Sequence, residues 1–136
     1  VRNSFYQAYE GSGYSQLNAL GLVACKSAYD KGDPWLQELK AYLKDNLDFV
    51  RTYLEENIPE IKLVEPEGTY LIWLDCSALG LTYKELEKLI VDTAKLWLDG
   101  GVIFGRETSL FERINIACPH SILAQALSNL EAAIHS

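Results

Sequence analysis

The chain has 136 residues, 49% of them hydrophobic and 11% aromatic, which is enough apolar material for a buried core and excludes a disordered polypeptide. Twelve basic against 19 acidic residues leave a formal net charge of -7, which argues against a nucleic-acid or anionic-membrane partner, since either would call for a clustered basic surface. Uncharged apolar runs last only a few residues, so no stretch reads as a membrane span, and no basic segment precedes an apolar one at the start as in a signal peptide.

Val1 to Glu10 is predicted as a short helix with Val1, Phe5 and Ala8 or Tyr9 on one side, broken by Glu10-Gly11-Ser12-Gly13. Ser15 is placed to cap a second helix reaching about Tyr29, with Leu17, Leu20, Ala24 and Ala28 on one stripe and Lys31-Gly32 as its stop. Asp33-Pro34 opens a third: an acceptor at the N-cap, then proline at the first helical position. Leu36, Leu39, Leu43, Leu47, Val50 and Leu54 recur at steps of three and four, which predicts one long amphipathic helix ending near Asn57. The seam covers too few repeats for a coiled coil, so packing on a sheet is the better reading.

Ile61 to Val64 reads as an edge strand, Pro66-Glu67-Gly68 as a turn, and Thr69 to Asp75 as an apolar strand covered on both faces or nearly so. Leu79-Gly80 turns the chain, and Thr82-x-x-Glu85 is a capping box for a helix bearing Leu86, Leu89, Ile90 and Thr93. Leu96-Trp97-Leu98 is a candidate short strand, Asp99-Gly100-Gly101 a bend before Val102 to Gly105, and Arg106 to Leu110 a loop. Tyr70, Trp73, Trp97 and Phe104 are expected in the core. The order helix, strand, strand, helix, strand, strand, helix predicts an α+β, two-layer domain with a small, largely antiparallel sheet packed by helices.

In Phe111 to Ser121, alternation puts Arg113, Asn115 and Ala117 on one side and Ile114, Ile116 and Cys118 on the other. Pro119 ends the strand, and Ser121 is placed to cap a last helix whose apolar positions are Leu123, Leu127, Leu130 and Ile134. An arginine on a short strand is rigidly placed; its planar fork fits a carboxylate or phosphate and keeps its charge when partly desolvated. Two readings follow for Arg113: a carboxylate clamp, or an ion pair with a local acid such as Glu112 or Glu107, which is the commoner situation.

Other candidates are weaker. Gly100-Gly101 lacks the glycine-rich phosphate-binding patterns and reads as a turn. Glu65, Glu67, Asp75 and Asp99 fall near strand ends without base–nucleophile spacing and read as solvated charges. Cys25, Cys76 and Cys118 are odd in number and lack C-x-x-C spacing, which points to a reducing cytoplasm and to small buried hydrophobes; Cys118 and His120 alone do not make a metal site. His135 complements the last helix dipole. A start at Val1 inside a helix, and the absence of methionine, suggest a piece of a longer protein.

Several blocks carry a resemblance: Asn18-x-x-Gly21, A-Y-D-K-G-D-P-W-L from Ala28, E-G-T-Y-L-I-W-L-D from Glu67, L-D-G-G-V-I-F-G from Leu98, and R-I-N-I-A-C-P from Arg113. Together they resemble the C-terminal domain of pyridoxal-phosphate enzymes of the class I/II aminotransferase family, in its MalY/PatB-type cystathionine β-lyase branch. The resemblance implies the small domain of a fold-type I enzyme at 33–136, with N-terminal helices at 1–32 linking to an absent large domain. That large domain would bind pyridoxal phosphate through a lysine matched by none in this chain. It further implies an amino-acid substrate whose α-carboxylate Arg113 holds, a homodimer, and no catalysis by this segment alone. Two departures stand out: His120 where an arginine commonly follows the proline, and Glu107-Thr108-Ser109-Leu110 where the loop is usually richer in glycine. Lyase and aminotransferase chemistry both stay open, and the alternative class is a free-standing interaction or regulatory module that keeps the fold without the chemistry.

Overall fold

The computed structural model describes residues 1–13 and 18–136, in two compact units, Val1–Leu39 and Lys40–Ser136. The first holds helices α1 (Arg2–Gly11) and α2 (Ala19–Lys31) and the start of α3 (Asp33–Asn57). Neither α1 nor α2 buries a residue: Phe5, Leu20, Val23 and Tyr29 are exposed, and so is Cys25, which corrects its expected place in a core. Asn18 caps α2, its side chain accepting the Gly21 N–H at 2.7 Å. The cap expected at Ser15, and the stripe position Leu17, lie outside the described residues.

The second unit contains the rest of α3, strands β1 (Lys62–Val64) and β2 (Leu71–Asp75), helix α4 (Tyr83–Lys88), strands β3 (Asp99–Gly100) and β4 (Phe111–Asn115), and α5 (His120–Ile134). The strands form one antiparallel sheet in the order β1-β2-β4-β3, so β1 is an edge strand as its sequence suggests. The core joins Val50 and Leu54 of α3, Ile72 and Leu74 of β2, Ile114 and Ile116, Leu86 of α4, and Leu123, Leu127 and Leu130 of α5. Each such side chain contributes about 1.5–3 kcal/mol on burial, so the apolar stripe on each helix accounts for the two-layer packing. The capping box at Thr82 and Glu85 is complete.

The structure departs from the sequence reading in four places. Leu96 to Leu98 is not a strand: α4 continues into a π-helical turn (Leu89–Thr93), Lys95 takes φ +59°, and the Leu96 N–H goes back to the Ile90 carbonyl instead of joining the ladder. Trp97 is therefore 89% exposed, and Tyr70 and Phe104 are also outside the core. Strand β2 buries only its Ile72/Leu74 face; Trp73 on the other is half-covered and meets Phe104 edge-on at 5.0 Å. Ser121 does not cap α5, which begins one residue earlier; the His120 N–H is taken instead by the Tyr42 hydroxyl at 2.8 Å.

That tyrosine is part of a polar latch from α3 onto the chain after β4. Asn46, 1% exposed, donates through Nδ2 to the carbonyls of Ile116 (2.8 Å) and Cys118 (3.1 Å), while its Oδ1 lies 3.2 Å from His120 Nδ1. Phe49 packs on the His120 ring, 4.4 Å between centroids. Removing the amide strands a buried carbonyl, which costs about 1–3 kcal/mol per unpaired group. Asn46→Ala is thus expected to lower the unfolding free energy by that amount, read as a lower denaturant midpoint with an unchanged slope; an unshifted midpoint would show that solvent already satisfies both carbonyls.

Candidate functional site

Arg113 stands in register between Trp73 of β2 and Asp99 of β3, which are hydrogen-bonded to β4 on either side. Its guanidinium makes two contacts with Asp99, Nη2 at 2.6 Å and Nε at 3.3 Å, both to the same oxygen, Oδ2. The partner is therefore Asp99, not Glu107 or Glu112. Glu112 points to the opposite face of the strand, and Glu107 sits in the turn beside Gly105. The Arg113 Cζ lies over the Phe104 ring, 4.6 Å from its centroid, so the group is held by the aromatic ring as well as by Asp99. Its side chain is 25% exposed.

Arg51 shows what a fully used arginine looks like in the same fold. Its Nε and Nη2 grip the two oxygens of Glu65 at 2.8 and 2.9 Å, and Nη1 takes Asp48 at 2.6 Å. On Arg113, by contrast, Nη1 has no partner among the described residues, and Asp99 presents only one oxygen. The end of the guanidinium defined by Nη1 and Nη2 retains donors for a second carboxylate. Asp99, which the sequence suggests is merely solvated, and Phe104, which it suggests is core, are the two groups that orient Arg113.

Glu112, one residue before the arginine, has the reverse surroundings. It lies on the Ile114 face of β4, only 5% exposed, and makes no hydrogen bond or ion pair among the described residues. It lines a cavity of about 590 Å³ between α4, the π-helical turn and the Gly101–Ile103 segment. Burial first, then the charges of Glu87 and Asp99, push its carboxyl up to about 7. Beside it Gly101 runs so close to the 108–111 segment that a Cβ there would fall 1.8 Å from the Thr108 carbonyl, so the residue that opens the expected turn at 101–103 also serves close approach. No group of three or more metal-ligating side chains gathers among the described residues.

The raised Glu112 carboxyl makes stability depend on pH. Below about 4.5 the group is protonated folded and unfolded, and its burial carries no charge penalty. Between there and about 7 the unfolded chain ionises while the folded one holds its proton, so stability falls as pH rises, by on the order of 3 kcal/mol in all. Chemical denaturation of the parent and Glu112→Gln from pH 4 to 8 is expected to show that decline only in the parent. Parallel profiles would remove Glu112 as its source.

No family model matches the chain. Cystathionine beta-lyase PatB of Bacillus subtilis (strain 168) is 35% identical over 133 residues, 98% of this chain and 34% of that protein. Protein MalY of Escherichia coli (strain K12) is 35% identical over 136 residues, 99% of the chain and 35% of that protein. Among solved structures, a PLP-bound protein of Clostridium difficile 630 superposes with a TM-score of 0.88 at 42% identity, over 94% of this chain and 33% of that one. The chain thus spans about a third of the length of the curated relatives it matches. Similarity over nearly every residue, joined to a four-stranded antiparallel sheet packed on helices, makes it a member of the pyridoxal-phosphate-dependent class I/II aminotransferase family, corresponding to the C-terminal small domain of its MalY/PatB-type enzymes.

Proposed function

We propose that the chain is the small domain of an enzyme acting on amino acids, either a cystathionine β-lyase-like C-S lyase or an aminotransferase, in which Arg113 takes the substrate α-carboxylate. The observation that carries this is the half-used guanidinium: fixed on an inner strand, stacked on Phe104, with Nη1 unpartnered. A carboxylate arriving at the Nη1–Nη2 end meets two donors in one plane that need no reorganisation, since Asp99 and Phe104 already hold the group.

Pyridoxal phosphate is the family's cofactor and supplies the electron sink for amino-acid chemistry. The residues of this chain do not form its site. All eight lysines, Lys26, Lys31, Lys40, Lys44, Lys62, Lys84, Lys88 and Lys95, are exposed, and the Glu112 cavity has the carboxylates of Glu87, Asp92 and Glu112 in its wall, which repel a phosphate. The cofactor belongs to the part of the relatives that this chain does not span, and that part decides between lyase and aminotransferase. The unpaired cysteines support a reducing cytoplasm, and the family resemblance supports a homodimer.

The competing reading is that Arg113 and Asp99 form a structural ion pair, which their 2.6 Å contact favours. In the enzyme that carries this chain, Arg113→Ala is expected to cost about 2–5 kcal/mol of transition-state binding, roughly 30-fold to several-thousand-fold in kcat/KM. Arg113→Lys keeps the charge without the fork and should fall between. A thermally weakened Arg113→Lys enzyme with parental kcat/KM would establish the structural reading instead. The chain by itself, mixed with pyridoxal phosphate, is expected to show no stoichiometric, borohydride-reducible attachment at any one lysine; such attachment would place the cofactor site here.

A further inference from the structure

Glu112, the one carboxylate of β4, has no role in a clamp, yet its surroundings are those of a binding group. Glu112 is 95% buried by its 5% exposure, lacks any protein donor among the described residues, and lines a cavity of about 590 Å³, within the size range of small-molecule sites. A carboxylate so placed either keeps a proton or takes a positive partner. We propose that this cavity binds a small organic cation, with a primary ammonium group on Glu112 and an apolar body against Trp97 and Ile103.

Three features carry the choice of a cation. Glu87 and Asp92 share the cavity wall with Glu112, against Lys84 and Lys88, so carboxylates outnumber ammonium groups three to two, the Asp99 carboxylate being taken by Arg113 on the other face. Both lysines are exposed, and neither pairs with Glu112. Trp97 and Ile103 are exposed by 89% and 67% and border the same space, leaving apolar surface for the rest of a ligand. The site is also separate from the arginine. Glu112 and Arg113 are consecutive on one strand and therefore face opposite sides of the sheet, so the inference stands whether or not Arg113 holds a substrate.

The charged groups facing Glu112 across the cavity are Lys84, Glu87 and Lys88 of α4 and Asp92 of the π-helical turn, while Asp99 of β3, paired with Arg113 on the other face, acts on it only through its nearby charge. A cation favours the ionised carboxylate, so affinity should rise with pH as the Glu112 proton is released near 7. The probe is phenethylammonium chloride, with 2-phenylethanol as the neutral counterpart, titrated into the 15N-labelled chain and followed by amide shifts.

Saturable one-to-one shifts at Gly100, Gly101 and Glu112 are expected with the ammonium and not with the alcohol, with tighter binding at pH 8 than at pH 6. Glu112→Gln should weaken binding at least tenfold, and exposed Glu87→Gln by only a few-fold. Absence of saturation at pH 8, equal binding of the alcohol, or parental affinity in a folded Glu112→Gln chain would each overturn the site. Should Glu112→Gln fail to fold, the parent's pH profile decides, because an affinity flat from pH 6 to 8 also overturns it.

Discussion

The second unit depends on the register of strand β4. Consecutive side chains there must serve opposite faces: Glu112 and Ile114 go under the helices while Arg113 goes to the open side against Asp99 and Phe104. A slip of one residue would put the guanidinium into the core and Ile114 into water, an error on both faces at once. Several constraints oppose it. Five residue pairs bind β4 to β2 and two bind it to β3, the Asn46 amide grips the carbonyls of Ile116 and Cys118, and the absence of a side chain at Gly101 lets the 108–111 segment close over β3.

Two carboxylates at the β3–β4 seam illustrate how neighbours set chemistry. Asp99 lies on β3 just before Gly100-Gly101, and Glu112 lies on β4 opposite Gly100. Asp99 is half-exposed and has a guanidinium on it, so its charge is compensated. Glu112 has apolar neighbours and two nearby negative charges, so its proton is held up to about 7. One orients an arginine; the other remains an unspent charge facing a cavity. The difference is a matter of which side of the pleat each side chain leaves.

Most of the fold can be read from the chain. The leucine spacing of α3, the Thr82–Glu85 box and the β-rich run ending at Asp75 each name an element that forms, because local periodicity and burial agree there. Arg113 is legible too, since an arginine just before Ile114 and Ile116 breaks the strand's apolar pattern. Its partner is not, because Asp99 and Arg113 are 14 residues apart and meet only through β3–β4 pairing. Glu112 could have been found: it falls two and four residues before Ile114 and Ile116, on the buried side of the same alternation. The exposed Trp97 could not, since only the π-helical turn and the left-handed Lys95 take that segment off the sheet. The Ser121 cap was displaced by a hydroxyl 78 residues away in sequence, which no local pattern reports.

That latch also bears on the order of folding. Asn46 belongs to the buried side of α3, where a primary amide without partners is a burden, and its partners at Ile116 and Cys118 arrive 70 and 72 residues later. The hairpin of β1 and β2 can close locally, whereas this contact has to wait for a loop spanning more than half the chain. During synthesis α3 would therefore leave the ribosome with its polar residue unmatched and its leucines uncovered. Residues 116–120 are what end that exposure, so a segment made some 70 residues later is what lets this long helix settle.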